Sequence, residues 1–211
     1  MSLERDLVIA SAIAATLYGT LLAGRSPSPV RSLVKAAAVG GLAGVAYITG
    51  AQWPLNLALG LGMLSDGLLA GRQRRWSLAG LAAQLAGLAC YVWLFVEDGG
   101  GRAALLAEPW RNLGVAGAMA AGAAMLLGLW RGPGPSKFAM AALTALQTAA
   151  TACAFTLPHQ LWPAMVGAPG LMVSGALLAG ERLGLRSRWS PYVSWWLYFA
   201  AQAMIAWAYL R

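Results

Sequence analysis

Long apolar stretches follow one another along almost the whole of this 211-residue chain. A helix needs about 20 predominantly apolar residues to cross the hydrocarbon core of a bilayer. Only 15 basic and 7 acidic residues are present, far below the roughly one quarter of charged residues that is usual in a soluble domain. This composition excludes a soluble enzyme, a secreted disulfide scaffold and a disordered chain, and it indicates a protein whose solvent is mostly lipid.

Breaks rich in glycine, proline and charge divide the chain into eight apolar segments. Examples of these breaks are residues 25–29, 97–102 and 132–135. We predict an all-α integral membrane protein, a single transmembrane domain over residues 1–211 with about eight transmembrane helices. The predicted helices cover roughly residues 7–23, 31–49, 54–70, 76–96, 111–130, 136–155, 161–180 and 191–210.

The distribution of lysine and arginine between the predicted loops indicates the orientation. The loops after helices 1, 3, 5 and 7 hold ten of these residues, and the opposite side holds four. We expect the first side to be cytoplasmic, with both termini outside the cytoplasm, as in a bacterial-type inner-membrane protein. Tryptophans near the predicted helix ends, Trp195 among them, are expected in the interfacial belt. The net charge of +8 therefore reflects topology and predicts no nucleic-acid partner, because no soluble domain presents a basic stripe.

Two parts of the chain resemble each other at an offset of 109 residues. The stretch SDGLLAG at 65–71 matches SGALLAG at 174–180 in five of seven positions, and RWS occurs at both 75–77 and 188–190. Four helices separate the copies, so both copies run in the same direction. We predict a 4+4 parallel internal repeat in which each half contributes one helix to a shared site. The two repeats cover about residues 1–100 and 103–211.

Two ionisable side chains lie inside predicted helices, where each costs at least about 2.5–3.5 kcal/mol unless it faces a polar cavity or a partner. Asp66 lies about one turn inside the cytoplasmic end of helix 3, and Lys35 about one turn inside the cytoplasmic start of helix 2. The two residues have a similar predicted depth, so a purely structural ion pair is one explanation. Snorkelling accounts for Lys35, but the short Asp66 side chain cannot reach the headgroups in this way. We therefore predict a functional role for Asp66.

Uncharged polar side chains inside the predicted helices are further candidates for contact with a ligand. Tyr198 and Gln202 are four residues apart, which places them on one face of predicted helix 8. Amides and phenols in such positions also serve as hydrogen-bond partners between helices. The candidates are Gln84, Tyr91, Gln147, Tyr198 and Gln202.

Motifs for cofactor binding are absent from the sequence. It contains no P-loop, no dinucleotide-binding glycine pattern and no cluster of metal-ligating residues. The single histidine, His159, excludes a multi-histidine metal or haem site. We expect neither a metal nor an organic cofactor.

The order of these features along the chain resembles the YhhN-like lysoplasmalogenase family. The matching features are the eight segments, Lys35 in the second, Ser65-Asp66-x-Leu-Leu in the third with its repeat in the seventh, and Tyr198-Phe-Ala-Ala-Gln202 in the eighth. The resemblance implies a multi-pass membrane hydrolase that cleaves the vinyl ether bond of a lysophospholipid to give a fatty aldehyde and a glycerophospho-base. On this basis we predict Asp66 and Lys35 as catalytic residues. The predicted substrate-binding residues are Tyr198, Gln202, Gln84 and Tyr91.

Vinyl ether hydrolysis explains why such a family uses two carboxyl groups. One acid protonates the β-carbon, and a second carboxylate stabilises the oxocarbenium-like ion and activates water, as in glycoside hydrolysis. By resemblance the second acid follows the serine of helix 7, where this sequence has Gly175. The family's helix-4 histidine corresponds to Leu88, and its Lys-Pro to Lys35-Ala36. Glu181 lies six residues beyond Gly175, about 9 Å along the helix axis, and is not expected to replace the missing acid.

Three functions are compatible with these residues. The first is a lysoplasmalogenase-like hydrolase that uses Asp66 as acid or base, with Lys35 tuning Asp66 or holding a phosphate. The second is a non-catalytic lipid-binding protein or accessory subunit of a membrane protein complex, which the missing acid and the Gly/Ala-rich helix faces favour. The third is a small transporter, which the parallel repeat favours. A hydrolase requires a cavity open to the cytoplasmic leaflet with Asp66, Lys35 and Tyr198 or Gln202 on its wall, whereas dry packing around Asp66 excludes it.

Overall fold

The computed structural model describes residues 3–71, 74–130, 136–182 and 187–210. Within these ranges the chain is helical and has no strand, so the all-α prediction is confirmed. The predicted break at 132–135 and several of the arginines used for the orientation lie outside the described residues. The helices are α1 Leu3–Leu17, α2 Pro29–Ile48, α3 Trp53–Leu69, α4 Arg74–Asp98, α5 Gly101–Ala107, α6 Pro109–Trp130, α7 Ser136–Ala154, α8 Trp162–Arg182 and α9 Ser190–Tyr209.

Each of the eight predicted apolar segments coincides with one of the long helices, and α5 is a short helix between α4 and α6. Among the described residues, five stretches are long and apolar enough to cross a membrane. The helix α3 falls short because it has 17 residues, and α7 and α9 fall short because threonine, glutamine, tyrosine and tryptophan lower their hydropathy. The spanning of α3, α7 and α9 therefore stays a prediction. The five stretches are Leu3–Leu22, Pro29–Ile48, Trp76–Asp98, Pro109–Trp130 and His159–Glu181.

Prolines in the predicted breaks lie in the first turns of the helices that follow. Pro29 occupies the first turn of α2, and the Ser28 hydroxyl caps this helix by accepting a hydrogen bond from the Arg31 backbone N–H at 3.2 Å. Pro54 and Pro191 lie in the first turns of α3 and α9. The prolines that separate the apolar segments therefore also mark where the next helix begins.

Consecutive long helices pack against each other within each half of the chain, α1 to α4 and α6 to α9. The halves meet where α4 packs against α7 and where α9 packs against α2, α3 and the π-helical turn Tyr18–Leu22. The core at these junctions contains fully buried side chains from both halves, such as Leu59, Phe95 and Ile205. Glycine permits the close approach of α8 to α9, since a Cβ at Gly167 would lie only 2.8 Å from the Ala201 carbonyl oxygen.

Arg111 ties the start of α6 to the turn between α7 and α8. It is one of the four basic residues that the orientation count assigns to loops on the outer side. The structure buries it, and its guanidinium donates to the carbonyl oxygens of Phe155 at 3.0 Å and Leu157 at 2.5 Å. Arg111 also pairs with Glu108 at 3.1 Å, and the His159 ring lies 3.1 Å from the same carboxylate. The hydrogen bond from Arg111 holds the pKa of the Glu108 carboxyl below its usual range.

Candidate functional site

A cavity of about 790 Å³ lies between the two halves of the bundle. Its walls come from α2, α3, α4, α7, α8 and α9, and it reaches the exposed connection between α1 and α2. This is the end of the bundle that the predicted topology assigns to the cytoplasm. Lys35, Asp66, Tyr198 and Gln84 all line this cavity, as does Gln147.

An ion pair between Lys35 and Asp66 forms part of the cavity wall. The Lys35 Nζ atom lies 2.7 Å from Asp66 Oδ1, and the side chains are 20% and 4% exposed. The pair joins α2 to α3, which pack against each other. The Lys35 side chain therefore turns to Asp66 rather than snorkelling towards headgroups.

Three aromatic rings surround the ammonium group of Lys35. Its Nζ atom lies 5.6–5.9 Å from the ring centroids of Tyr18, Trp195 and Tyr198, a distance at which a cation is attracted to an aromatic face. Tyr18 begins a π-helical turn, Tyr18–Leu22, that follows α1. Trp195 is buried, with its indole N–H donating to the Ala15 carbonyl oxygen at 3.0 Å, so its expected place in the interfacial belt is wrong.

Polar contacts continue from the ion pair into the core. The Tyr198 ring centroid lies 5.7 Å from the Lys35 Nζ atom, so this tyrosine of α9 meets the ion pair. The Gln202 amide N–H donates to the Tyr198 oxygen at 3.2 Å, and the Tyr91 hydroxyl donates to the Gln202 side-chain oxygen. Five of the six predicted site residues thus belong to one connected network. Tyr91 and Gln202 lie behind Tyr198, fully buried and away from the cavity lining.

One oxygen of the Asp66 carboxylate, Oδ2, is enclosed and has no hydrogen-bond partner among the described residues. Buried polar atoms almost always have a partner in the protein or in bound water. Asp66 lines the cavity, so this oxygen belongs to a side chain that water or a ligand in the cavity meets. The adjacent Ser65 hydroxyl is also buried without a partner in the described part of the chain.

The wall contributed by α8 has no acid at the position that the resemblance predicts. Gly175 lines the cavity, and a Cβ added there would overlap the Gln147 amide group. Gln147 itself donates to the Leu171 carbonyl oxygen at 3.2 Å. The Ser174 hydroxyl donates to the carbonyl oxygen of Ser194 at 2.8 Å. This wall is polar but uncharged around Gly175.

A second carboxylate nevertheless reaches the same cavity. Glu181, near the end of α8, is among the lining residues, and its Oε1 accepts a hydrogen bond from the Ser190 hydroxyl at 2.5 Å. The glutamate does not replace Gly175 in position, but it faces the same volume. Glu181 lies one residue before the end of α8, and no sequence signal indicated that it faces the cavity.

Metal coordination has no basis in the described residues. Within 3–71, 74–130, 136–182 and 187–210, no three His, Cys, Asp or Glu side chains come together in a group that could hold a metal ion. The charged side chains among the described residues that line the cavity are the Lys35–Asp66 pair, Glu181, Arg25 and Arg31.

The fold and the site together define an all-helical, multi-pass type of membrane protein with a charged cavity between two halves. A sequence model of the YhhN family matches residues 30–209, which includes α2 to α9 and every predicted site residue. The chain belongs to the YhhN family. No curated protein and no solved structure matches it.

Proposed function

We propose that this YhhN-family protein is a membrane-embedded hydrolase that cleaves the vinyl ether bond of a lysophospholipid in the cavity between its halves. The observation that carries the proposal is Asp66, a buried carboxylate on a side chain that lines the cavity, with one oxygen paired to Lys35 and the other without a partner among the described residues. A cavity of about 790 Å³ is within the range of small-molecule sites and admits part of a lipid.

The ion pair supplies a proton to the proposed reaction. A shift of one proton along the 2.7 Å contact converts the ammonium and carboxylate into an amine and a carboxylic acid, and burial makes this neutral form more accessible than it is in water. The resulting Asp66 acid protonates the β-carbon of the vinyl ether, which leaves an oxocarbenium ion next to the Asp66 carboxylate.

Water completes the cycle. The Asp66 carboxylate stabilises the cation and takes a proton from the water that adds to it, as the acid/base residue of a retaining glycosidase does. The hemiacetal then breaks into a fatty aldehyde and the free hydroxyl of the glycerophospho-base. One water is consumed, and the proton returns to the pair, so a single carboxylate serves as acid and then as base.

The direct test is aldehyde release from a 1-alkenyl lysophospholipid by the purified protein. Asp66→Asn preserves the shape of the side chain but removes the acid, and we expect it to lower kcat about 100-fold or more. Ser174→Ala is the matched control, because Ser174 lines the same cavity outside the ion pair. Reaction in D₂O is expected to place one deuterium on the carbon next to the aldehyde. Equal release by Asp66→Asn and the wild type would remove Asp66 from the mechanism.

The second candidate is a non-catalytic lipid-binding protein or accessory subunit of a membrane complex. The observation that favours it is the α8 wall, where Gln147 fills the space in front of Gly175. This candidate predicts that a non-hydrolysable alkyl lysophospholipid binds in the cavity while the wild type releases no aldehyde.

The proposal includes the membrane arrangement of the whole chain. We infer eight spans in two parallel repeats of four, in an inner membrane with both termini outside the cytoplasm. The contacts that join the halves support the repeat, because α4 with α7 and α9 with α2 are the same contact when the halves are exchanged. Labelling of single cysteines at Ser26 and Thr156 from either side of the membrane tests it, since the proposed topology places these two residues on opposite faces.

A further inference from the structure

We infer that Arg25 and Arg31 form a phosphate-binding subsite at the edge of the cavity, which selects lipids whose headgroup contains a phosphate. The inference rests on the proposed function and names the part of the substrate that the protein recognises by charge. Both arginines line the cavity, Arg25 from the exposed connection after the π-helical turn and Arg31 from the first turns of α2.

The Arg31 guanidinium is held in place without using all of its donors. Its Nε donates to the Tyr18 hydroxyl at 3.2 Å, and its Nη2 donates to the Ala23 carbonyl oxygen at 3.3 Å. A guanidinium has five N–H donors, so three are left for a ligand. Neither Arg25 nor Arg31 forms an ion pair with a described carboxylate. A preorganised guanidinium is well suited to phosphate, which accepts paired hydrogen bonds.

Lys35, the other cation among the described residues that line the cavity, is not available to bind a phosphate. Lys35 is engaged by Asp66 at 2.7 Å, so the phosphate role that the sequence allowed for it falls to the arginines. The other carboxylate on the wall, Glu181, belongs to the α8 end and is bound by Ser190. Glu181 forms no ion pair with Arg25 or Arg31, so both arginines keep their charge at the edge formed by the α1–α2 connection.

The spacing of Arg31 and Lys35 along α2 matches the length of a glycerol backbone. Arg31 precedes Lys35 by four residues, so the two lie on one face of α2, about 6 Å apart along its axis. A phosphate at Arg31 brings the other end of the same glycerol to the depth of the ion pair. The apolar chain then extends along the leucines that line the cavity, Leu88, Leu143 and Leu171.

This edge includes parts of the chain outside the family match. The match begins at residue 30, after Arg25, Ala23 and Tyr18. The subsite is therefore inferred from the contacts of this chain, and the residues before position 30 contribute both a cation and the anchors of Arg31.

Two substrates that differ only in the headgroup test the subsite. We expect Arg25→Gln/Arg31→Gln to raise KM for a 1-alkenyl lysophosphatidylcholine about tenfold or more with kcat little changed, because charge-assisted hydrogen bonds to the phosphate are lost. Hydrolysis of the matching 1-alkenylglycerol, which has no phosphate, is expected to stay as in the wild type. Arg5→Gln is the matched control, an exposed arginine of α1 away from the cavity lining. Equal effects on both substrates, or none on either, would overturn the inference.

Binding separates the subsite from the reaction. A non-hydrolysable 1-alkyl lysophosphatidylcholine is expected to bind the double variant about tenfold more weakly than the wild type, even if no aldehyde is ever released. If binding is unchanged, the subsite is wrong whatever the activity. Inorganic phosphate is expected to raise the thermal stability of the wild type far less than this lipid does, and equal stabilisation would show a site for the free anion instead.

Discussion

The cavity has two walls that are built alike and charged differently. On one wall Lys35 of α2 meets Asp66 of α3, and on the other Gln147 of α7 covers Gly175 of α8. In each half the second helix reaches towards the third. The Gln147 amide donates a hydrogen bond to the Leu171 carbonyl oxygen, whereas a carboxylate and three aromatic rings surround the Lys35 ammonium.

Because of this difference, the first half of the chain supplies the charged groups of the cavity, and at Gly175 the second half supplies an uncharged wall. An ionised pair inside a membrane protein is costly and marks a functional site by default. Glycine at 175 removes the charge and the side chain together, and the Gln147 amide fills the space that remains. The acid–base work of the proposed reaction therefore falls to Asp66, with Glu181 as the other carboxylate in reach of the cavity.

The largest difference in stability between the two walls is expected when the polar side chain of α2, Lys35, and that of α7, Gln147, are removed in turn. Lys35→Met leaves the enclosed Asp66 without its cation and is expected to lower the free energy of unfolding by about 3–5 kcal/mol. Gln147→Met, the matched change on the other wall, loses one hydrogen bond and is expected to cost about 1 kcal/mol. Reversible unfolding in detergent micelles measures both.

A double variant tests whether the cost of Lys35→Met comes from the unpaired charge that it leaves on Asp66. Lys35→Met/Asp66→Leu replaces the pair by apolar side chains and is expected to recover most of the stability without recovering activity. The charged wall would have no special role in stability if Lys35→Met were no more costly than Gln147→Met.

An intermediate effect is expected when the missing acid is introduced. Gly175→Asp forces a side chain into the Gln147 amide and is expected to lower the free energy of unfolding by about 1–3 kcal/mol. The cost should fall when Gln147→Ala is present, because the two positions share one space. Gly175→Ala separates the steric effect from the charge. Identical costs with and without Gln147 would show that the amide does not fill the site.

The smallest contrast concerns the two serines of the repeat. Ser174→Ala loses the hydrogen bonds of its hydroxyl to the carbonyl oxygen and the hydroxyl of Ser194 and is expected to lower the free energy of unfolding by about 0.5–1.5 kcal/mol. Ser65→Ala removes a buried hydroxyl that has no partner among the described residues and is expected to be neutral or slightly stabilising. Thermal unfolding of the two variants side by side measures the difference, and a larger loss for Ser65→Ala would point to a partner for its hydroxyl.

Part of the site could be predicted because it depends on position along single helices. The depth of Lys35 and Asp66 follows from counting residues from the ends of apolar segments, and Tyr198 and Gln202 share a face because they are four residues apart. The pair and the Tyr198–Gln202 contact are both present in the structure.

Other parts of the site could not be predicted because they depend on distant segments meeting. Tyr18 reaches Lys35 through a π-helical turn, which no local sequence pattern announces. Trp195 resembles any interfacial tryptophan until its contact with Ala15, 180 residues away, buries it. The spacing of Glu181 from Gly175 along one helix gave no sign that both face the same cavity.

The sequence by itself determined the eight apolar segments, the helices that they form and the membrane as solvent, because hydrophobic length and helix breaks are local properties. Only the tertiary structure decided that Lys35 pairs with Asp66 instead of extending to the headgroups, that Gln147 fills the space at Gly175, and that an open cavity lies between them. These outcomes depend on the contacts between α2, α3, α7, α8 and α9, and packing between helices is set by shape and polar pairing across the bundle rather than by the order of residues along any one helix.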